Sequence, residues 1–177
     1  DEPVRTRILS EGAWRGLQEY LILDGGRPAV EGIELEGIAS SAPTPEVLEA
    51  VSEAELIVVG PSNPVISIGP ILAVPGMRDA ISEAAAPVVA VSPYVAGTVL
   101  NGPTYNFMRG LGRPTTAAGV ASMYEGLIDA MILDADDPDE PPSGLRCFST
   151  PTLMHSAESR ASVARAVVKV GRKLIED

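Results

Sequence analysis

Short apolar runs recur along the chain, each followed by a polar loop and then by a segment with helical spacing. The runs are Leu56–Val59, Pro87–Val91, Ala130–Leu133 and Leu145–Ser149. Continuous apolar strands that alternate with helices are typical of a parallel sheet covered on both faces. The pattern therefore predicts an α/β fold, with an open, mainly parallel, Rossmann-like sheet flanked by helices.

Helices are predicted where a capping residue precedes apolar positions three or four residues apart. Thr44-Pro45 opens one helix and Thr116 opens another that runs to about Leu127, because a threonine hydroxyl accepts hydrogen bonds from the first helical turn. Three more are predicted: one from near Ile71 or Met77, one from Gly102-Pro103-Thr104 through Leu111, and one from Ser156 to about Ile175.

The first forty residues are less regular. Val4–Leu9 is predicted as a strand, Trp14–Glu19 as a helix-like patch and Tyr20–Leu23 as a second strand. The turn residues Asp24-Gly25-Gly26 follow. The alternation of Val30 to Leu35 predicts a half-exposed strand, and Trp14 is expected to pack in the core.

Composition limits the classes of function. A chain of 177 residues with 45% hydrophobic content can bury one core, so we expect one domain. The net charge of −11 and the lack of a dense Lys/Arg run argue against nucleic acid and an anionic membrane as general partners. No apolar stretch reaches the ~20 residues of a membrane span, and we expect a cytoplasmic protein. The start at Asp1, almost directly before a strand, predicts a fragment or a processed piece.

The loop Gly60–Pro70 (G-P-S-N-P-V-I-S-I-G-P) is the main candidate for a binding site. It follows a buried strand, glycine allows close approach of a ligand, proline stiffens the loop, and serine and asparagine supply donors and acceptors. We interpret it as a preorganised site for a nucleotide or a phosphorylated group. The alternative is local turn and capping chemistry. The candidate residues are Pro61, Ser62, Asn63, Ser67 and Gly69.

Two further loops should share a rim of the sheet with the first, because ligands of open parallel sheets bind beyond the carboxyl ends of the strands. In Ser92–Gly102 the nucleotide-binding candidates are Ser92, Asn101 and Gly102, and an ordinary capped helix is the alternative. The acidic segment Asp134–Asp139 could hold a divalent cation or be a solvated loop, and we assign no metal ligand there.

Catalytic side chains are not identified by any pattern. His155 and Cys147 are the only histidine and the only cysteine, and no Ser-His-Asp arrangement or acid–base pair accompanies them. Catalytic residues therefore remain unassigned.

Several motifs resemble one known family. Gly60–Arg78 is similar to the signature of the 2-phospho-L-lactate (or phosphoenolpyruvate) transferases of coenzyme F420 biosynthesis. Gln18–Tyr20, Pro87–Gly97, Gly102–Thr104 and Thr152–Met154 match in the same order and spacing. The resemblance covers nearly the whole chain. It implies that the chain is a single α/β domain or the C-terminal portion of a transferase whose first half, with the metal ligands, is absent.

The resemblance also implies a reaction. Such enzymes transfer a phospholactyl or phosphoenolpyruvyl group from a guanosine-diphosphate-activated donor to the hydroxyl of the deazaflavin Fo, release GMP and use Mg²⁺. A homodimer of this chain is a possible assembly. The chain departs from the family in lacking basic residues at Asn101 and Asn106 and after Tyr20. The alternative function is therefore a non-catalytic nucleotide or nucleotide-sugar binding module, and a third is a scaffold whose loops stabilise an oligomer.

Overall fold

The structure is a computed structural model that describes residues 3–100 and 102–176. The described strands are β1 (Arg5–Ser10), β2 (Ala13–Gly16), β3 (Gly32–Glu36), β4 (Ile57–Val59), β5 (Val88–Val91), β6 (Tyr94–Val95), β7 (Thr98–Val99), β8 (Ala130–Asp134) and β9 (Arg146–Thr150). The described α-helices are α1 (Leu17–Ile22), α2 (Pro45–Ser52), α3 (Gly69–Ala73), α4 (Met77–Glu83), α5 (Thr104–Gly110), α6 (Ala117–Met123) and α7 (Ala157–Glu176).

A parallel sheet of four strands forms the centre of the fold, in the order β4-β5-β8-β9. Each neighbouring pair is parallel, with Val89 opposite Ala130 and Met131 opposite Cys147 in the register. Helices flank this sheet, so the predicted α/β class and the open parallel sheet are confirmed. Among the described residues, no helix is long and apolar enough to cross a membrane.

Alternate residues of β5 point to two separate layers of the core. Val88 and Ala90 belong to the larger cluster, together with side chains of α4 and α6. Val89 and Val91 pack in the second cluster against the buried face of α7. Because successive side chains of a strand point to opposite faces, all four residues of β5 are buried between the two layers. This double burial explains why the strand has no polar position.

A separate antiparallel sheet, in the order β2-β1-β3, lies near the N-terminus. The predictions for β1 and β3 are confirmed, but two others are wrong. Tyr20–Leu23 is not a strand, because residues 17–22 form α1, and the predicted helix-like patch begins instead with β2. Trp14 does not pack in the core and is 42% exposed, since it lies on the outer face of the antiparallel sheet opposite Leu9.

The predicted loops contain more regular structure than their composition indicates. The five residues Pro64–Ile68 form a short π-helix that continues directly into α3. The loop after β5 contains the hairpin β6–β7, whose turn places Ala96 at φ +49° and Gly97 at φ +75°.

Two helices differ from their predicted bounds. Helix α6 ends at Met123 rather than near Leu127, because the Tyr124 amide donates to the Ala121 carbonyl and closes a tighter turn. The predicted helix near Ile71 or Met77 is two helices, α3 and α4.

Candidate functional site

The three predicted loops leave the sheet at one rim. β4, β5 and β8 are parallel neighbours, so their carboxyl ends lie at the same edge. The loop after β4 contacts the start of α5, and the hairpin β6–β7 contacts the segment after β8. The common rim that the sequence predicts is therefore present, and we call it the carboxyl rim.

Asn63 organises the loop after β4. Its Oδ1 accepts hydrogen bonds from the amides of Val65 at 2.9 Å and Ile66 at 3.0 Å, which caps the π-helix. Its Nδ2 donates to the hydroxyl of Thr104 at 3.0 Å. The Asn-Pro pair folds in this way because asparagine is a strong N-cap and proline is tolerated at the first helical position. The Asn63 side chain thus positions the loop and joins it to α5.

The remaining candidates of this loop differ in exposure. Pro61 and Ser62 are exposed, and the Ser62 amide donates to the Gly60 carbonyl at 2.8 Å. Ser67 and Gly69 are half-buried within or beside the π-helix. A Cβ on Gly69 would lie 3.0 Å from the Pro64 carbonyl oxygen, so the close helical turn favours glycine here. Short π-helices are often found at functional sites, and the exposed part of this loop is Pro61 and Ser62.

The candidate residues of the second loop also differ in exposure, since Ser92 is buried and Gly102 is exposed. Ser92 is 1% exposed, and its hydroxyl accepts from the Tyr94 amide at 3.1 Å, so this side chain shapes the hairpin from inside. Gly102 is exposed with φ +82°, a conformation that glycine adopts readily, and a Cβ there would meet no atom within 4 Å. Asn101 lies outside the described residues.

Asp134 connects three segments of the rim, although the sequence indicated it only as part of a possible cation-binding segment and not for this role. Its Oδ1 accepts from the Ala96 amide at 3.0 Å, and its Oδ2 accepts from the amide and the hydroxyl of Thr152 at 2.7 and 2.9 Å. Burial acts to raise its pKa, but these hydrogen bonds outweigh burial and hold the pKa below its usual value. The signal in the sequence was the aspartate that ends a buried strand together with the Thr152–Met154 motif.

Tyr20 and Asn106 attach the turn after α1 to α5. The Tyr20 hydroxyl lies 2.7 Å from the Pro28 carbonyl oxygen and 3.1 Å from that of Gly26. The Asn106 Nδ2 donates to the same Gly26 oxygen at 2.8 Å. The Tyr20 ring packs edge-to-face on Phe107, with centroids 5.6 Å apart, and burial raises the pKa of the hydroxyl. Asn106, at a position where the resemblance implies a basic residue, therefore has structural partners in the turn after α1.

The metal and nucleophile chemistry of the described residues is limited. They contain no group of three or more His, Cys, Asp or Glu side chains that could hold a metal ion. The Mg²⁺ that the resemblance implies therefore has no matching ligand set among the described residues. Burial raises the pKa of the Cys147 thiol, which disfavours the reactive thiolate, and His155 is exposed.

Comparison with known proteins identifies relatives along almost the whole chain. Residues 1–164 match the family described as 2-phospho-L-lactate transferase CofD. The chain is 36% identical over 172 residues to the 2-phospho-L-lactate transferase of Methanosarcina barkeri, covering 95% of this chain and 55% of that protein. It is 37% identical over 183 residues to the phosphoenolpyruvate transferase of Streptomyces griseus, covering 98% and 58%.

A solved structure shares the fold. Protein BH3568 of Bacillus halodurans matches with a TM-score of 0.60 at 17% identity, over 93% of this chain and 58% of that one. The chain spans between half and two thirds of the length of the relatives that it matches. The continuous match of residues 1–164 and the identities above 30% establish that the chain belongs to the 2-phospho-L-lactate transferase CofD family.

Proposed function

We propose that this chain is the C-terminal portion of a transferase that builds the phosphorylated side chain of coenzyme F420. The whole enzyme would move a phospholactyl or phosphoenolpyruvyl group from a guanosine-diphosphate-activated donor to the hydroxyl of the deazaflavin Fo, releasing GMP. Family membership supports the reaction class. The observation that carries the proposal for this part is the loop Gly60–Pro70, which Asn63 fastens to α5 at the carboxyl rim.

The part of the reaction that we propose for these residues is binding. In a transfer of this kind an alcohol oxygen attacks phosphorus and GMP leaves, so the protein contributes mainly positioning and stabilisation of charge. Ser62 and Gly102 are exposed at the rim and can offer a hydroxyl and backbone groups to the guanosine nucleotide. Asn63 and Ser92 would act indirectly, by fixing the loops that carry these groups.

Calorimetric titration of the purified chain with GDP, GMP and ADP tests the binding role. We expect saturable binding of the guanine nucleotides and at least tenfold weaker binding of ADP, in a protein whose cooperative thermal unfolding shows that it is folded. Equal affinity for ADP, or no binding of GDP to the folded chain, would contradict a guanosine site at this rim. Transfer to Fo is then assayed with the full-length enzyme.

One observation favours a second candidate, a non-catalytic nucleotide-binding module. Asn106 stands where the resemblance implies a basic residue, and its side-chain amide donates hydrogen bonds to the carbonyl oxygens of Gly26 and Arg27. A carboxyl rim with fewer positively charged side chains binds a diphosphate less tightly. An assay of the full-length protein with Fo and the donor distinguishes the two functions. Nucleotide binding without formation of GMP would favour the binding module.

A further inference from the structure

A cavity of about 370 Å³ lies between α7 and the edge of the parallel sheet. β9 is an edge strand, and α7 packs against both β5 and β9, so the cavity is the gap that the helix leaves beside the outer strand. The residues proposed to bind the nucleotide do not line this cavity. It is therefore a second candidate site, on the face of the sheet that α7 covers.

One wall of the cavity is apolar. Ile132 of β8 is fully buried, and Phe148, which is half-buried, lies opposite it in the register of β8 and β9. From α7, the wall includes Val170, which is 6% exposed, and the small side chain of Ala166 one helical turn earlier. Such a wall binds an apolar group favourably, because contact removes apolar surface of both partners from water.

Two lysines supply the charged part of the cavity. Lys169 and Lys173 lie one helical turn apart on α7, and Lys173 Nζ is 5.5 Å from the centroid of the Phe148 ring. Both ion pairs of the described residues belong to Arg15, so neither lysine forms one in this part of the chain. Like charges at this spacing repel each other, and an anion between them would remove the repulsion.

The distribution of charge along the chain also favours an anion at this place. The chain has a net charge of −11, but α7 carries five basic residues and two acidic ones. The two carboxylates, those of Glu158 and Glu176, do not line the cavity. Ser149 and Thr150 do line it and bring hydroxyls, which are donors to an anionic group. A ligand with an apolar body and an anionic head group matches these features.

We propose that this cavity binds a small organic carboxylate with a flat apolar body, which packs against the apolar wall while the carboxylate lies between Lys169 and Lys173. Binding requires the apolar contact and the charges together, because both lysines are exposed and an exposed ion pair alone is weak. Kd should be on the order of 10⁻⁴ to 10⁻³ M for a ligand of two fused rings, given the small gain per atom. The site acts separately from the transfer reaction.

Titration of the ¹⁵N-labelled chain with 2-naphthoate, followed by amide chemical shifts, tests the site. We expect saturable shifts at the amides of Phe148 and Val170, and about tenfold weaker binding of the uncharged 2-naphthamide. Acetate, which has the charge without the apolar body, should cause no saturable shift there. Lys169→Gln and Lys173→Gln should each weaken binding about threefold, and the double variant about tenfold. Arg160→Gln removes a positive charge of α7 outside the cavity, so it is the matched control and should bind like the wild type.

Three outcomes would contradict the proposal. Equal affinity for 2-naphthamide would show that the cavity does not select an anion. Unchanged affinity in the double variant would show that the two lysines do not hold the carboxylate. Absence of saturable shifts at Phe148 and Val170 in the folded wild type would show that the cavity does not accept this class of ligand. The substituted side chains are all exposed, so the variants should fold, and the dispersion of their amide spectra verifies this.

Discussion

The side-chain amide of Asn63 donates a 3.0 Å hydrogen bond to the hydroxyl of Thr104, which lies 41 residues further along the chain. Thr104 is 1% exposed, so its hydroxyl has little access to water. This contact joins the loop after β4 to the first turn of α5. Two motifs of the family resemblance, Gly60–Arg78 and Gly102–Thr104, are thereby parts of a single structure.

Replacing Thr104 by valine should destabilise the protein by about 1–3 kcal/mol, because the Asn63 amide loses its acceptor while the shape of the side chain is kept. Urea denaturation measures the free energy of unfolding. Thr98→Val, at an exposed hydroxyl of β7, is the control and should stay within about 0.5 kcal/mol of the wild type. A Thr104 variant as stable as this control would show that the contact does not hold the loop.

Ser62 and Asn63 should affect nucleotide binding in different ways. Ser62→Ala should weaken GDP binding by about 0.5–1.5 kcal/mol at unchanged stability, since its exposed side chain has no hydrogen-bond partner among the described residues. Asn63→Ala should weaken binding by about 1–3 kcal/mol and also destabilise the fold, because it uncaps the π-helix. Calorimetry combined with denaturation separates the two effects. Ser143→Ala is the control, and equal affinity in all three variants would remove this loop from the site.

Asp134 should make the free energy of unfolding depend on pH in the acidic range. Its folded pKa lies below the unfolded value of about 3.9, so its contribution is complete above that value and is lost as the pH falls through the folded pKa. Asp134→Asn should therefore be about 1–3 kcal/mol less stable than the wild type at pH 7, and the difference should shrink below about pH 4. Denaturation of the wild type and the variant at pH 7 and at pH 3 measures the difference in the free energy of unfolding and how far it shrinks. A difference that stays constant between these pH values would contradict an ionised Asp134.

Tyr20 and Asn106 should act together on the turn between α1 and β3. Both side chains contact the Gly26 carbonyl oxygen, so Tyr20→Phe and Asn106→Ala share an acceptor. Each should lower the free energy of unfolding by about 1 kcal/mol, and the double variant should depart from additivity by at least 0.5 kcal/mol. A double-mutant cycle gives this coupling directly. Strict additivity would show that the two contacts hold the turn independently.

Gly119→Ala should destabilise the protein although alanine is the better helix former. Alanine normally stabilises a helix relative to glycine by up to about 1 kcal/mol, but a Cβ at Gly119 would collide with the Pro114 carbonyl oxygen. The expected loss exceeds 1 kcal/mol and is measured by thermal unfolding. Gly16→Ala is the matched control, because a Cβ there meets no atom within 4 Å. A stabilised Gly119 variant would mean that α6 can shift away from Pro114 at little cost.

The sequence predicted the buried strands and the capped helices well, for reasons that are local. β4, β5 and β8 are apolar runs whose neighbours along the chain are turns and helices. The Thr44 and Thr116 caps form because each hydroxyl accepts an amide three residues further on. The position of the three loops at one rim could be predicted because the carboxyl ends of parallel strands lie at the same edge of a sheet.

The errors arose where distant segments decide the structure. Residues 20–23 are apolar and fit a strand as well as a helix, and the packing of Tyr20 against the distant Phe107 is not visible in the local pattern. The hairpin β6–β7 turns at Ala96-Gly97, a pair without the usual asparagine or aspartate signal. The contact of Asp134 with Thr152 joins residues 18 positions apart, and no local pattern indicates it.

Within its first turn, helix α5 contacts one segment next to each sheet. Thr104 accepts from the loop that follows the parallel sheet, and Asn106 donates to the turn that precedes β3 of the antiparallel sheet. A ligand that rigidifies the loop Gly60–Pro70 should therefore slow amide hydrogen exchange around Gly26 as well, without contacting it. Through this one helix, the exchange rate of amides in the turn before β3 would report ligand binding at the carboxyl rim.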